Sequence, residues 1–358
     1  MKNLFFILLL LPCMAMGAAD TVITSGKWSV DANWSTGTKA GATDTAIHKT
    51  GILDTADENF SLAAFRSPPV SGTFWWAGRK MTFADFMVDS CTGTAHYGDT
   101  VLIAGATGYF RNSAGNGTRT TNGTSLIYNG VNCVHDEHKG NTYLKIIVGD
   151  GAGLTLQGSA NIAVISDVTN SPLTFINGGS LTVNRQVTFT KGSSAGDIIS
   201  IVSGTPTITG NSNLILQGQL AGATFTIPAL TLGGTIALRL NSTQNNGVIL
   251  QHTGALSCYE LYVRPVTGSV QWSWDANDNN ITCTNMYFGS AVGTSEIRTR
   301  WGNGTYTISG KLDGSTNNLG TNIDSLEGAV VNVAGNVSIG TAHAVVPGTS
   351  VITVTGAG

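Results

Sequence analysis

A short pattern, apolar, Thr, apolar, any residue, Gly, returns at intervals of about 25 residues along this chain, and no other feature restricts the fold as much. Clear copies are Leu154-Thr155-Leu156-Gln157-Gly158, Pro206-Thr207-Ile208-Thr209-Gly210, Leu230-Thr231-Leu232-Gly233-Gly234, Tyr306-Thr307-Ile308-Ser309-Gly310 and Ile352-Thr353-Val354-Thr355-Gly356. Degenerate copies lie at Leu126-Ile127-Tyr128, Leu181-Thr182-Val183, Leu256-Ser257-Cys258, Ile281-Thr282-Cys283 and Val331-Asn332-Val333. With the third residue of each as marker, the ladder runs Tyr128, Leu156, Val183, Ile208, Leu232, Cys258, Cys283, Ile308, Val333, Val354, in nearly even steps. Met81-Thr82-Phe83 and Val101-Leu102-Ile103 extend it upstream. In-out-in alternation is a strand with one buried face, and the glycine two positions later marks a turn or a close backbone approach. One strand per repeat, always in the same direction, requires the chain to return to its start each time. The backbone must coil.

A rung of about 25 residues at about 3.3 Å each has a perimeter near 80 Å, which suits a three-sided coil filled with side chains. Twelve rungs stacked at about 4.8 Å make a rod on the order of 50 Å long. The returns, such as 212–220 and 241–251, lack helical periodicity, so a leucine-rich horseshoe is disfavoured. A β-sandwich is the remaining alternative. The expected fold is thus all-β, a parallel β-helix (solenoid) of about 25 residues per rung and roughly twelve rungs.

Composition agrees with export and with turns. Only 11% of residues are charged, the formal net charge is −3 and there are 46 glycines, against roughly 25% charged in an ordinary soluble domain. Such a balance gives no electrostatic reason to attract nucleic acid or an anionic membrane. Residues 1–19 read as a secretory signal: Lys2, an apolar run from Leu4 to Leu11, then Ala15, Gly17, Ala18 and Ala19. A lipid anchor at Cys13 is the rival reading, with Pro12 where a small residue is wanted. No later stretch has transmembrane length, so the expectation is a secreted or cell-surface protein without membrane insertion. Export leaves Cys91, Cys133, Cys258 and Cys283 where disulfides are permitted. Cys258 and Cys283 share a marker position and are expected to stack as buried thiols. Cys91 with Cys133 is the expected disulfide.

Residues 20–72 fit the repeat poorly and read as an N-terminal cap to a coil over 73–358. They carry Gly26-Lys27-Trp28-Ser29, Asn33-Trp34-Ser35-Thr36-Gly37 and Ala42-Thr43-Asp44-Thr45-Ala46-Ile47. This stretch resembles the opening segment of secreted bacterial right-handed parallel β-helix proteins, pectin-lyase-like, adhesin-like and autotransporter-passenger-like chains among them. Lys39-Ala40-Gly41 stands where those proteins usually have Pro. The resemblance implies a right-handed coil and leaves activity open, because the fold carries both lyases and inert stalks. At the other end the chain stops at Gly358 in mid-rung. The expected reading is a fragment of a longer protein, the alternative an open last rung that pairs with another copy.

Candidate chemistry is sparse. Gln271-Trp272-Ser273-Trp274-Asp275 and Glu296-Ile297-Arg298-Thr299-Arg300 are offset by one repeat, hence side by side on successive rungs. Asp275, Arg298 and Arg300 could serve a polysaccharide lyase or hydrolase, the cations holding an anionic sugar and the carboxylate moving protons. The plainer reading is a surface ion pair, since no second carboxylate accompanies Asp275 at a matching rung position. Trp75 or Trp76 could offer a ring to a sugar, since alternation turns Phe74 and Trp76 to one side and Trp75 to the other; core or cap packing is the expected reading. His135 and His138 form a weak metal candidate, because i, i+3 spacing converges on a helix and not on an extended chain; the expectation is an exposed polar loop. Asp275 and Asn277 open a stretch of calcium-loop composition, Asp275-Ala276-Asn277-Asp278-Asn279-Asn280, without the glycine and glutamate such loops need. No cofactor is expected, with Ca²⁺ there as the alternative to an Asn-rich turn. The function expected is a structural or adhesive element that meets a surface polysaccharide or another copy of itself. A polysaccharide-active enzyme and a self-assembling fibre subunit are the alternatives.

Overall fold

The computed structural model describes residues 19–356 apart from 22–25, 49–52, 70, 77, 91, 113–118, 122, 167–170, 243–246, 264–270, 290–295, 315–321 and 342. Residues 1–18 of the signal segment and Cys91 lie outside the described residues. Among the described residues every strand pairing is parallel and the only helical piece is one short 3₁₀ turn, Asp31–Asn33, so the chain is an all-β parallel solenoid. Successive turns stack three faces. The first contains Thr100–Ile103, Ser125–Tyr128 and Lys145–Val148 and, further along, Val248–His252, Gln271–Asp275 and Glu296–Arg300. The second runs from Tyr109–Asn112 through Cys133–Glu137, Gly153–Gly158 and Ser180–Val183 to Val330–Val333 and Val351–Val354. The third includes Ile162–Ser166, Val187–Lys191, Asn213–Gly218 and Ala237–Ser242. Long strands such as Lys80–Asp89 and Leu256–Val263 bend across a corner and take part in two faces.

Register confirms the repeat over its later part apart from one slip, where Val183 pairs with Gly210 and the marker Ile208 pairs with Leu181. Leu156 pairs with Val183, Cys258 with Cys283, Cys283 with Ile308, Ile308 with Val333 and Val333 with Val354. It corrects the earlier part. Tyr128 pairs with Ile103 and Val148 on the first face, whereas Leu156 pairs with His135 on the second. The turn length also varies: the step from Lys80 to its partner Thr100 is short, and that from Gly196 to Phe225 is long. Residues 20–72 join the same ladders, Thr45–Ile47 pairing with Phe60–Ser67 and that strand with Lys80–Asp89. Trp28 and Trp34 are buried there with Phe60, Phe65 and Trp76. Trp34 Nε1 donates to the Trp28 carbonyl at 2.8 Å, which satisfies one polar group within an apolar plug.

Inward residues form one continuous core of Leu, Ile, Val, Phe, Trp and Tyr from Trp28 to Val333. Glycines sit where turns touch. A Cβ on Gly130 would lie 1.8 Å from the Gly105 carbonyl oxygen, and one on Gly210, φ 143°, only 2.2 Å from that of Val183. Close approach is therefore the reason for the glycine that ends the repeat. Cys258 and Cys283 stack inside as free thiols, and burial pushes the Cys283 thiol up to about 12. Cys133 is also a buried thiol, 3.5 Å from the Gly130 carbonyl oxygen, and the expected bridge to Cys91 involves a residue outside the described ones.

Candidate functional site

The first face brings the charged candidates together. Its outward residues pair Ser273 with Arg298 and Asp275 with Arg300, as the offset of one repeat requires, and place Trp272 beside Ile297 on the inside. Between the outward columns lies a cleft of about 390 Å³ lined by Ile249, Ser273, Asp275, Arg298, Arg300 and Ser325, with Trp274 and Thr299 beneath.

The charges in the cleft are engaged with one another. Asp275 Oδ2 accepts from Gln251 Nε2 at 3.0 Å and from Arg300 Nη1 at 3.4 Å, while Oδ1 accepts the Asn277 backbone N–H at 2.7 Å. Arg300 turns its Nε to Glu327 Oε1 at 2.7 Å. The Glu327 hydrogen bond, and then the Asp275 charge, raise the guanidinium above its ordinary value. A carboxylate from outside the matching rung positions, which Arg300 and Ser325 occupy, thus joins the group one turn beyond Arg300. Glu327 escaped notice because it comes from the corner after the strand Asn322–Ser325. Its backbone is left-handed, φ 50°, at a corner position that Asn277, Gly302 and Gly348 hold on neighbouring turns with φ of 51°, 70° and 53°. A glutamate is the costliest occupant of that column, and what it gains is the bond to Arg300.

Beneath the cleft a buried polar network ties the last turns. Thr299 donates to Asp324 Oδ1, Trp301 Nε1 donates to Thr299 Oγ1 at 2.9 Å, and His343 Nδ1 lies 2.5 Å from Asp324 Oδ2.

The calcium-like stretch is a corner whose oxygens are already used. Asp278 Oδ1 accepts from the Asn303 backbone N–H at 2.7 Å and Asn280 Oδ1 from the Thr305 N–H at 2.9 Å. Asn279 Nδ2 donates to the His252, Ala276 and Asn277 carbonyls. These bonds join one turn to the next.

His135 and His138 do not converge. The segment expected as an exposed loop is the strand Cys133–Glu137, and alternation sends His135 and Glu137 into the core. His135 Nδ1 meets Tyr128 Oη at 2.7 Å and Nε2 meets Glu137 Oε2 at 3.1 Å. His138 lies outside, with Ser159 Oγ at 2.8 Å and Asp136 Oδ1 at 3.0 Å. Among the described residues no group of three or more His, Cys, Asp or Glu is placed to hold a metal ion. Ser67, Asp89, Asn112 and Glu137 pair in register as a buried polar column along one corner. The signal was a polar residue closing each strand where alternation calls for an inward one.

Phe74 and Trp76 are fully buried, so Trp76 is core and presents no ring to a sugar. Trp75 is 43% exposed and lies over the His96 ring, centroids 3.9 Å apart. Among the described residues no helix is long and apolar enough to cross a membrane. Compared with protein-family models, curated proteins and solved structures, the chain matches none.

Proposed function

We propose that this is a secreted or cell-surface β-solenoid with a structural or adhesive role, binding through a long side and carrying out no reaction. The observation that supports it is the chain of contacts Gln251, Asp275, Arg300, Glu327. A general base needs a carboxylate free to take a proton, and a sugar clamp needs a cation free to meet an anion. Here each group spends its bonding on its neighbours in adjacent turns, which holds the coil together. The opening segment's likeness to bacterial adhesin-like and autotransporter-passenger-like chains is in keeping with this role, as is the signal at 1–19.

The cleft favours one second reading, a polysaccharide lyase or hydrolase in which Arg298 and Arg300 receive an anionic sugar. Incubation with a panel of uronate and neutral polysaccharides separates the two. The structural reading expects no unsaturated products and no new reducing ends. Reproducible turnover that Arg300→Ala abolishes would overturn it.

A further inference from the structure

The second face offers a surface of another kind. Reading its outward positions turn by turn, Ser180, Thr207, Thr231, Ser257, Thr282 and Thr307 stand one above the next in register. Asn332 and Thr353 carry the column to the last strand. Thr155, Thr182 and Thr209 form a second column on one flank. On the other flank stand Ala229, Ala255, Asn280, Thr305, Val330 and Val351, all exposed.

From Gly153–Gly158 to Val351–Val354, the strand segments on this face hold no charged side chain. The other faces of the same coil hold several: Asp275, Arg298 and Arg300 on the first, Arg239 and Lys311 along the third. Charge is kept off one side over nine consecutive turns. The one aromatic ring these segments turn outward, Tyr259, stands at the corner where the second face gives way to the third. That leaves no row of rings for stacking sugars.

What remains is a lattice. Every strand on this face from Gly153–Gly158 to Thr305–Ile308 turns out at least one hydroxyl, Ser257 being the one strand without a Thr methyl, and Thr353 adds another beyond Asn332. At about 4.8 Å per strand the unbroken part is about 29 Å long. Threonine is stiff at χ1, so the groups are ordered before anything binds. Each hydroxyl both donates and accepts. A small soluble molecule engages one or two such positions weakly, whereas a periodic solid engages the whole array at once and the weak contacts multiply. The solid that suits an uncharged array of hydroxyl and methyl groups is one built of water.

We propose that the second face docks on ice. The Thr and Ser hydroxyls take places in its hydrogen-bond lattice, and the γ-methyl groups fill hollows between water molecules. The inference rests on the reading of the protein as a non-catalytic solenoid that binds through a long side, and it names the side and the partner.

The test uses the full chain. The wild-type protein is expected to concentrate in slowly grown ice and to slow recrystallisation. Thr231→Tyr combined with Thr282→Tyr should lower the fraction held in ice by about tenfold or more, because bulky rings lift the array off a flat partner. Thr307→Val, which keeps the shape and removes one hydroxyl, should lower it less while leaving the melting curve in place. Thr188→Tyr on the third face should leave ice uptake unchanged. Exclusion of the wild type from ice, or full uptake by the folded double variant, would overturn the proposal. Binding to crystalline cellulose or chitin together with exclusion from ice would remove ice and leave the adhesive reading standing. Polysaccharide turnover would remove the reading itself.

Discussion

His135 and Glu137 face each other inside the solenoid, Nε2 to Oε2 at 3.1 Å, with both side chains fully buried. Glu137 also accepts from Tyr143 Oη at 2.7 Å and from the backbone N–H groups of Lys139 and Gly140 at 2.9 and 3.0 Å. One carboxylate thus serves the core on one oxygen and a corner on the other.

Burial alone would push the Glu137 carboxyl up, but the hydrogen bonds and charge of His135, with Tyr143 and Lys139 N–H, hold it below its ordinary value of 4.5. A depressed carboxylate stabilises the fold above the unfolded value, and that contribution is lost as pH falls through the folded one. Glu137→Gln should cost about 3 kcal/mol at pH 7, since it strips charge from several buried bonds at once. The gap between wild type and variant should close as pH drops below the ordinary carboxylate range. Urea titrations at pH 7 and pH 3.5 measure both effects, and a constant gap would count against the assignment.

His252 predicts a separate, milder acid window. Its ring is buried beside Trp274, centroids 6.0 Å apart, and neither ring nitrogen has a hydrogen-bond partner among the described residues. Burial without a partner lowers it from 6.5 to about 4. The unfolded chain therefore takes up a proton first as pH falls, and stability declines between pH 6.5 and 4 by on the order of 3 kcal/mol. His252→Leu should lose less over the same interval. Equal losses in melts at pH 7 and pH 4.5 would show that the ring is not the group responsible.

Tyr128 and Leu156 show where periodicity stops being informative. Each closes an alternating strand of the same kind, yet one belongs to the first face and the other to the second. A half-buried parallel strand demands the same in-out-in pattern on every side of the coil, so the pattern reveals coiling and hides which side a copy occupies. From Leu156 onward the chain mostly kept one face in step, and the neighbours Ser273–Arg298 and Asp275–Arg300 could be read from spacing alone. Upstream, the short steps from Lys80 to Thr100 and from Ser125 to Lys145 broke the count. Polar inward residues were invisible for a different reason. Glu137 and Asp324 look like surface residues in sequence, and only the fold gathers the partners that make their burial tolerable: His135, Tyr143 and the N–H groups of the corner after it for Glu137, Thr299 and His343 from the adjacent turns for Asp324. Glu327 depends on a backbone angle that no neighbouring residue announces.

The glycines separate two physical costs. At Gly130 an added methyl meets the Gly105 carbonyl oxygen at 1.8 Å, with the buried Cys133 Sγ at 2.9 Å beside it. Gly130→Ala should destabilise by about 3 kcal/mol through overpacking. Gly151, φ 60°, has nothing within 4 Å of an added Cβ, so Gly151→Ala should cost only the left-handed penalty of about 1 kcal/mol. Thermal melts of the two variants should rank in that order. The reverse order would mean that the turns stack less closely at Gly105 than the distances imply.

Glu327 offers the most direct test of the clamp on the first face. Its left-handed backbone costs about 1 kcal/mol, which glycine would recover. The ion pair with Arg300 is half exposed, the arginine side chain being 53% accessible, and such pairs contribute about 1 kcal/mol or less. Glu327→Gly should therefore leave the melting temperature nearly unchanged at low salt and raise it slightly at about 1 M salt, where screening has already weakened the pair in the wild type. Glu327→Ala loses the pair and keeps the strained backbone, so it should melt below both. If alanine and glycine behaved alike, the left-handed column through Asn277, Gly302 and Gly348 would not carry the energetic weight assigned to it, and the pair with Arg300 would be the larger effect.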